Sequence, residues 1–287
     1  PFLYTLAMQE GMTPCDKVVN LPQTFVLPDG NTWTPRSTDK EQWIGKTVTL
    51  KWGLTNSSNN ISAYLMKQFG PEAMADMMRR MGIQSHIDEV PALCVGPADL
   101  SLWEMVAAYN TFPSRGVYIE PLFVTRIEDN QGNVISEFTN RKREAIGENT
   151  AYLMVNLMEG VVQGGTASRL RYRYKLMGEI AGKTGTTNDN ADGWFIGYTP
   201  TLVAGIWTGA EDRQVHFQSI TYGQGAHMSL PTWGIFMRKV IADGTLGVSE
   251  NDRFIAPAGV TLNLGCTGGD EDAATDVQQK TEDYYFE

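Results

Sequence analysis

The stretch "EIAGKTGTTNDNADGWFIGYTPTLVAGIWTG", residues 179–209, constrains the fold more than any other part of the chain. Three apolar runs, around 177–187, 193–199 and 201–208, are divided by turn-forming residues, and Thr199-Pro200 leaves room only for a tight turn. Strands joined by so few residues must run antiparallel, because a parallel neighbour needs a crossover of a dozen residues or more. The segment therefore predicts a three-stranded meander with a face to cover.

The rest of the chain supplies the cover. "PFLYTLAMQEG" has apolar residues at Phe2, Leu3, Leu6 and Ala7 and stops at Gly11, a helix already under way at residue 1, so its start is expected to be missing upstream. Ile61, Leu65 and Phe69 mark a helix from about Asn59 to Phe69, and a second runs from Pro71 to the stop at Gly82, with Met74, Met77, Met78 and Met81 as core packing. Further helices pass through Leu102, Met105, Val106 and Tyr109, through 150–162 with Asn149 as N-cap, and onward from near Pro231 with Trp233, Phe236, Met237, Val240 and Ile241 on one side. Residues 20–45 read as an irregular loop with the turn "PDGN", and "LFVTRIEDNQGNVISEF" as a hairpin turning at 129–132. Helices, an antiparallel sheet and a closing helix define an α+β fold, an antiparallel sheet covered by helices.

The 287 residues are 42% hydrophobic and 20% charged, a globular composition. Of the net charge of −10, most sits in residues 267–287, which hold seven acidic residues and one lysine. That tail, beyond about 265, is expected to be disordered or loosely packed, and the chain divides into a folded body, 1–257, and an acidic tail, 258–287. No basic stripe invites nucleic acid, and no apolar run approaches the roughly 20 residues of a membrane-crossing helix. Cys15, Cys94 and Cys266 are far apart, odd in number and without metal-ligand spacing, so neither a metal nor a cofactor is expected.

Two short motifs carry chemistry. Lys183 lies in a predicted strand flanked by Gly182 and Gly185, and strands avoid both glycine and an unpaired buried lysine. Beside the hydroxyls of Thr184, Thr186 and Thr187 it could receive a carboxylate, with one positive charge, hydroxyl donors and open amides. The same lysine could equally protect a solvated edge strand. About 125 residues earlier, Ser57 and Asn59 stand at a predicted helix start, where both could serve merely as caps. A Ser-x-Asn ahead of a Lys-Thr-Gly strand is also the second and third element of the serine acyl-transferase set whose first is Ser-x-x-Lys.

With those motifs in place, and with "WTPRSTDKEQWIGKTVTLKWGLTNSSNNIS", "LSLWEMVAAYNTFPSRGVYIEP", "MEGVVQGGTASRLR" and "AHMSLPTWGIFM" in matching order, the chain resembles the transpeptidase domain of a class A (bifunctional) penicillin-binding protein from residue 1 to about 257. The resemblance implies a penicillin-binding protein/serine β-lactamase-like fold lacking its N-terminal strands. It also implies a peptidoglycan D,D-transpeptidase acting on D-Ala-D-Ala stem peptides, acylated by β-lactam antibiotics, and working at the extracytoplasmic (periplasmic) face of the inner membrane within a membrane-anchored parent that carries a glycosyltransferase. The family's nucleophile motif runs into Pro-Phe, where this chain begins, so the resemblance implies that the catalytic serine is absent from the chain and that the chain alone is inactive. Ser57 would relay a proton to the leaving amine, Asn59 would hold the substrate amide, and Lys183 would draw the terminal carboxylate. The Thr184 and Thr186 hydroxyls, with Gly185 and Thr187 alongside, would bind that carboxylate, and the Thr186 N–H would form half of an oxyanion hole. Two alternatives share the motifs: a serine β-lactamase-like hydrolase, and a non-catalytic binding or scaffold module.

One match misleads. "STDK", 37–40, is formally Ser-x-x-Lys, but it lies in a Pro-rich loop, whereas the chemistry needs serine and lysine one helical turn apart. Ser37 is not expected to be a nucleophile, and the sequons at Asn56 and Asn60 read as chance.

Overall fold

The computed structural model describes residues 1–259 and 264–266. At its centre is helix α1, Phe2–Gln9, in which every residue from Phe2 to Met8 is buried. A helix with no polar face must be wrapped on all sides. The chain then forms α2 (Leu50–Thr55), α3 (Asn59–Phe69), α4 (Pro71–Arg80), α5 (Leu102–Asn110), α6 (Glu148–Gln163) and α7 (Ser229–Ala242), and α1 packs against α3, α4 and α6. Gly11, at φ +96°, ends the first helical segment, and Gly82, at φ +101°, follows α4. Met74, Met77, Met78 and Met81 are all buried, as core residues should be.

The meander forms as expected: β1 (Ala181–Thr186), β2 (Asp192–Tyr198) and β3 (Val203–Gly209) pair antiparallel in the order β3-β2-β1. Lys183 stands opposite Ile196, Gly185 opposite Trp194 and Thr186 opposite Gly193. Helix α6 packs beside β1, while α5 and α7 pack on the β2–β3 side. Phe195 meets Trp233 edge-on, ring centroids 5.2 Å apart, and the Trp233 indole donates to the Ala204 carbonyl at 3.0 Å. Because β1 is an edge, its outer side is open to whatever the helices bring there.

Short antiparallel ribbons complete the body. Lys17–Val19 pairs with Thr47–Thr49, Phe25–Val26 with Thr32–Trp33, Val117–Ile119 with Lys142–Glu144, and Arg126–Glu128 with Val134–Glu137. The 20–45 region is therefore less irregular than expected, because its "PDGN" turn closes a two-residue hairpin with Gly30 at φ +82°.

Two local expectations are corrected, and one disulfide forms that no expectation covered. Helix α6 starts at Glu148 after Gly147, not after an Asn149 cap. Its opening groups are satisfied from outside, the Gln9 side-chain oxygen accepting from the Gly147 N–H at 3.0 Å and from the Thr150 hydroxyl at 3.1 Å. In α7 the buried stripe is Trp233, Met237 and Val240, while Phe236, one flank over, is 43% exposed. Cys15 and Cys266, which the sequence leaves unpaired, form a disulfide across 251 residues. Sequence separation carries no information about separation in space, and the fold brings the two Cα atoms to 5.0 Å. The segment is held again by Lys51, whose amine donates to the Leu264 carbonyl at 3.3 Å. The expectation for the tail at 267–287 lies outside the described residues. Among the described residues, no helix is long and apolar enough to cross a membrane.

Candidate active site

Strand β1 places Lys183 by register, and the sheet explains the glycines around it. A side chain at Gly182 would meet the Ile196 carbonyl at 2.8 Å and the Phe195 ring at 2.9 Å, and one at Gly185 would meet Trp194 at 3.1 Å. The neighbours that approach the backbone there are residues of the sheet itself.

Lys183 is only 9% exposed. Its amine donates to the Ser57 hydroxyl at 2.9 Å and to the Thr184 carbonyl at 3.0 Å. Among the described residues no carboxylate pairs with it. Desolvation pulls its pKa from 10.5 down to about 8. A buried ammonium with neutral partners is costly, and it is a standing attraction for an anion. The edge-protection alternative fails here, since a protective lysine would be solvated.

Ser57 arrives from the turn between α2 and α3. Its backbone is left-handed, φ +58°, and its N–H donates to the Leu54 carbonyl at 3.2 Å. The cap of α3 is neither Ser57 nor Asn59 but Ser58, whose hydroxyl accepts from the Ile61 N–H. With capping assigned to Ser58, the Ser57 hydroxyl is free to turn toward Lys183. Asn59 is half-buried, and its amide nitrogen donates to the Arg36 carbonyl at 2.8 Å.

The threonines differ in what they can do. The Thr186 hydroxyl accepts from the Gly225 N–H at 3.0 Å, which leaves its own proton to donate. Thr184 shares a hydrogen bond with Thr166, oxygens 2.7 Å apart. Thr187 is committed to the β1–β2 turn, with its hydroxyl accepting from the Asp192 N–H at 2.9 Å. Residue 225 must be glycine, because a Cβ would overlap the Gly185 carbonyl and the Trp194 backbone. Thr166 and Gly225 were not identified from the sequence as site residues. Their only signal is membership in "QGGTAS" and "GQGAH", which are not chemical patterns. Close by, an Arg169 guanidinium nitrogen lies 2.7 Å from His227 Nε2, and burial together with that positive charge lowers the His227 pKa, favouring neutral imidazole.

The formal Ser-x-x-Lys at 37–40 is non-helical, and the Ser37 hydroxyl accepts from the Asp39 N–H at 3.1 Å.

Comparison with known proteins places this arrangement. The family model described as the penicillin-binding protein transpeptidase domain matches residues 1–214. Penicillin-binding protein 2D of Bacillus subtilis is 31% identical over 273 residues, covering 91% of this chain and 37% of that protein. Penicillin-binding protein 1A of Neisseria meningitidis is 30% identical over 248 residues, covering 83% and 30%. The chain thus spans about a third of the length of the curated relatives it matches. Among solved structures, penicillin-binding protein 1A of Haemophilus influenzae superposes with a TM-score of 0.78 at 21% identity, covering 90% of this chain and 42% of that one. PonA1 of Mycobacterium tuberculosis in complex with penicillin V gives 0.72 at 22% identity, covering 93% and 72%. The fold, the order of the motifs and these matches agree, and the chain belongs to the penicillin-binding protein transpeptidase family.

Proposed function

We propose that this chain carries most of the acyl-transfer site of a peptidoglycan D,D-transpeptidase that β-lactams also acylate. The observation that carries the reading is the buried Lys183 amine, 2.9 Å from the Ser57 hydroxyl and, among the described residues, without a carboxylate partner, beside the Thr184 and Thr186 hydroxyls. The C-terminal carboxylate of a D-Ala-D-Ala stem peptide, or the carboxylate of a penicillin, supplies the missing negative charge. It takes hydrogen bonds from Thr186 and Thr184 and potential from Lys183. The Thr186 N–H forms half of the oxyanion hole. Ser57, held by Lys183, passes a proton to the leaving amine, and Asn59 turns its free side-chain oxygen to the substrate amide. Thr187 closes the strand turn and Gly185 admits Trp194, so these two shape the carboxylate site.

None of the serines in these 287 residues is the acylated one in this reading. Ser57 is engaged as relay, and Ser37 lies in a loop away from any helical lysine partner. Intact-mass spectrometry after incubation with a fluorescent penicillin tests this. The chain alone should form no adduct, and a chain extended upstream through a Ser-x-x-Lys helix should form one. A stoichiometric adduct on Ser37 or Ser57 of the short chain would overturn it. We place the chain outside the cytoplasm, at the periplasmic face and within a membrane-anchored parent; the Cys15–Cys266 disulfide supports the first of these, since such bonds persist in oxidising compartments. Peptide mapping from cells lysed without reductant should recover the linked pair, and finding both thiols alkylated would contradict this placement.

A further inference from the structure

The loop "RSTDK", residues 36–40, holds the misleading Ser-x-x-Lys and contributes nothing to the chemistry above, yet it grips the turn that presents Ser57. An Asp39 carboxylate oxygen accepts from the Ser58 hydroxyl at 2.6 Å and from the Asn60 amide at 3.4 Å. The Arg36 carbonyl accepts from Asn59. Three successive residues after Ser57 are therefore held by one loop. Ser58 cannot rotate away without loss, because its oxygen also accepts from the Ile61 N–H. Asn60 carries the linkage inward, donating to the Asn20 side chain at 2.8 Å, and Asn20 donates to the Trp43 carbonyl at 3.1 Å. Asn20, Ser58 and Asn60 are all buried, so the linkage is rigid and shielded from competing water.

The turn needs such a grip. A left-handed backbone costs an ordinary residue about 1–2 kcal/mol, and Ser57 lacks the compensating side-chain geometry of Asn or Asp. The Ser57–Lys183 contact exists only while that conformation is kept. The geometry points to Asp39 as a positioning residue for the site. Its carboxylate fixes Ser58 and Asn60 and so holds Ser57 in reach of Lys183, while the Arg36 carbonyl holds the Asn59 amide nitrogen. The inference rests on the acyl-transfer reading of the same site.

The test compares Asp39→Ala and Asp39→Asn with the parent, all extended upstream through a Ser-x-x-Lys helix, using a fluorescent penicillin. In Asp39→Ala the first-order acylation constant should fall ~10-fold, because small misplacements of reacting groups are expensive. The half-saturating concentration should stay within about twofold, since the carboxylate contacts on β1 are untouched. Asp39→Asn keeps an acceptor for Ser58 and should return to within about threefold of the parent. An Asp39→Ala rate equal to the parent's, a loss confined to the half-saturating concentration, or an equal loss in Asp39→Asn would each overturn the inference. If Asp39→Ala does not fold, Ser58→Ala removes the hydroxyl that Asp39 holds, and parent-like acylation by that variant is equally fatal. A parent that is never acylated refutes the acyl-transfer reading instead. The positional claim is then judged in the 287-residue chain by amide exchange at residues 57–61, which Asp39→Ala should speed ~10-fold if the grip exists and leave unchanged if it does not.

Discussion

The two walls of the candidate site are built by different physics. On one, Lys183 is placed by strand register: the hydrogen-bonded ladder with β2 fixes where residue 183 lies, and close backbone packing at Gly182 and Gly225, with the Trp194 side chain against Gly185, resists a shift. On the other, Ser57 sits in a left-handed turn that side chains hold from Asp39 and backbone holds from Arg36. The first wall is sterically stiff and bears its cost as a buried charge. The second is locally strained and bears its cost as backbone conformation. Ser57 and Lys183, which meet at 2.9 Å, are thus held by one element that packing fixes and one that neighbouring hydrogen bonds fix.

The largest test of this contrast strikes the charge. In the upstream-extended chain, Lys183→Ala should slow acylation by fluorescent penicillin ~10²–10³-fold, the scale of losing one preorganised electrostatic group. A loss of less than about fivefold would show that the strand wall contributes shape alone.

The cost of that charge should appear in stability. The fall of Lys183 from 10.5 to about 8 corresponds to roughly 3 kcal/mol against the charged form in the folded state. Below pH 8 folded and unfolded chains both hold the proton, and the penalty is full. Between pH 8 and 10.5 the folded amine releases it while the unfolded one keeps it, so stability rises with pH. Lys183→Met should therefore exceed the parent in urea midpoint at pH 7, with the gap closing toward pH 10.5. A pH-independent gap would mean that the amine is not desolvated.

Steric stiffness predicts a smaller loss at Gly225. The atoms that an added Cβ would strike are backbone, which cannot swing aside, so Gly225→Ala should cost about 2 kcal/mol and lower Tm accordingly. An unchanged Tm would show that the β1 wall yields after all.

The smallest effect has the opposite sign. Ser57→Gly removes both the hydroxyl and the left-handed penalty, so it should raise stability by up to about 1 kcal/mol while acylation falls. Lower stability in that variant would place the energy of the turn in its Lys183 contact rather than in its strain.

The sequence revealed the parts whose signals are periodic or local. The meander, the Asn59–Phe69 helix, the methionine-lined core helix and the 129–132 turn all follow from spacing and turn residues. It also named Ser57 and Lys183, through motif chemistry and the family resemblance. It offered Ser57 and Asn59 as caps of α3 and missed Ser58, because serine and asparagine both cap and only the path of the chain decides which one does. Nor could it start α6 at Glu148, since the group that satisfies the helix opening is Gln9, on a neighbouring helix.

What the sequence determined by itself is the inventory: strands that must pair with their neighbours, apolar helix faces that must be covered, and a lysine and a serine in types and order suited to acyl transfer. Tertiary structure decided the meetings. It joined Cys15 to Cys266, set Thr166 against Thr184, and gave a loop resembling a catalytic motif the task of holding Ser58 through Asp39. Periodicity records which way a residue faces within its own element, whereas a hydrogen bond between distant segments depends on how whole elements pack, and no local pattern encodes that.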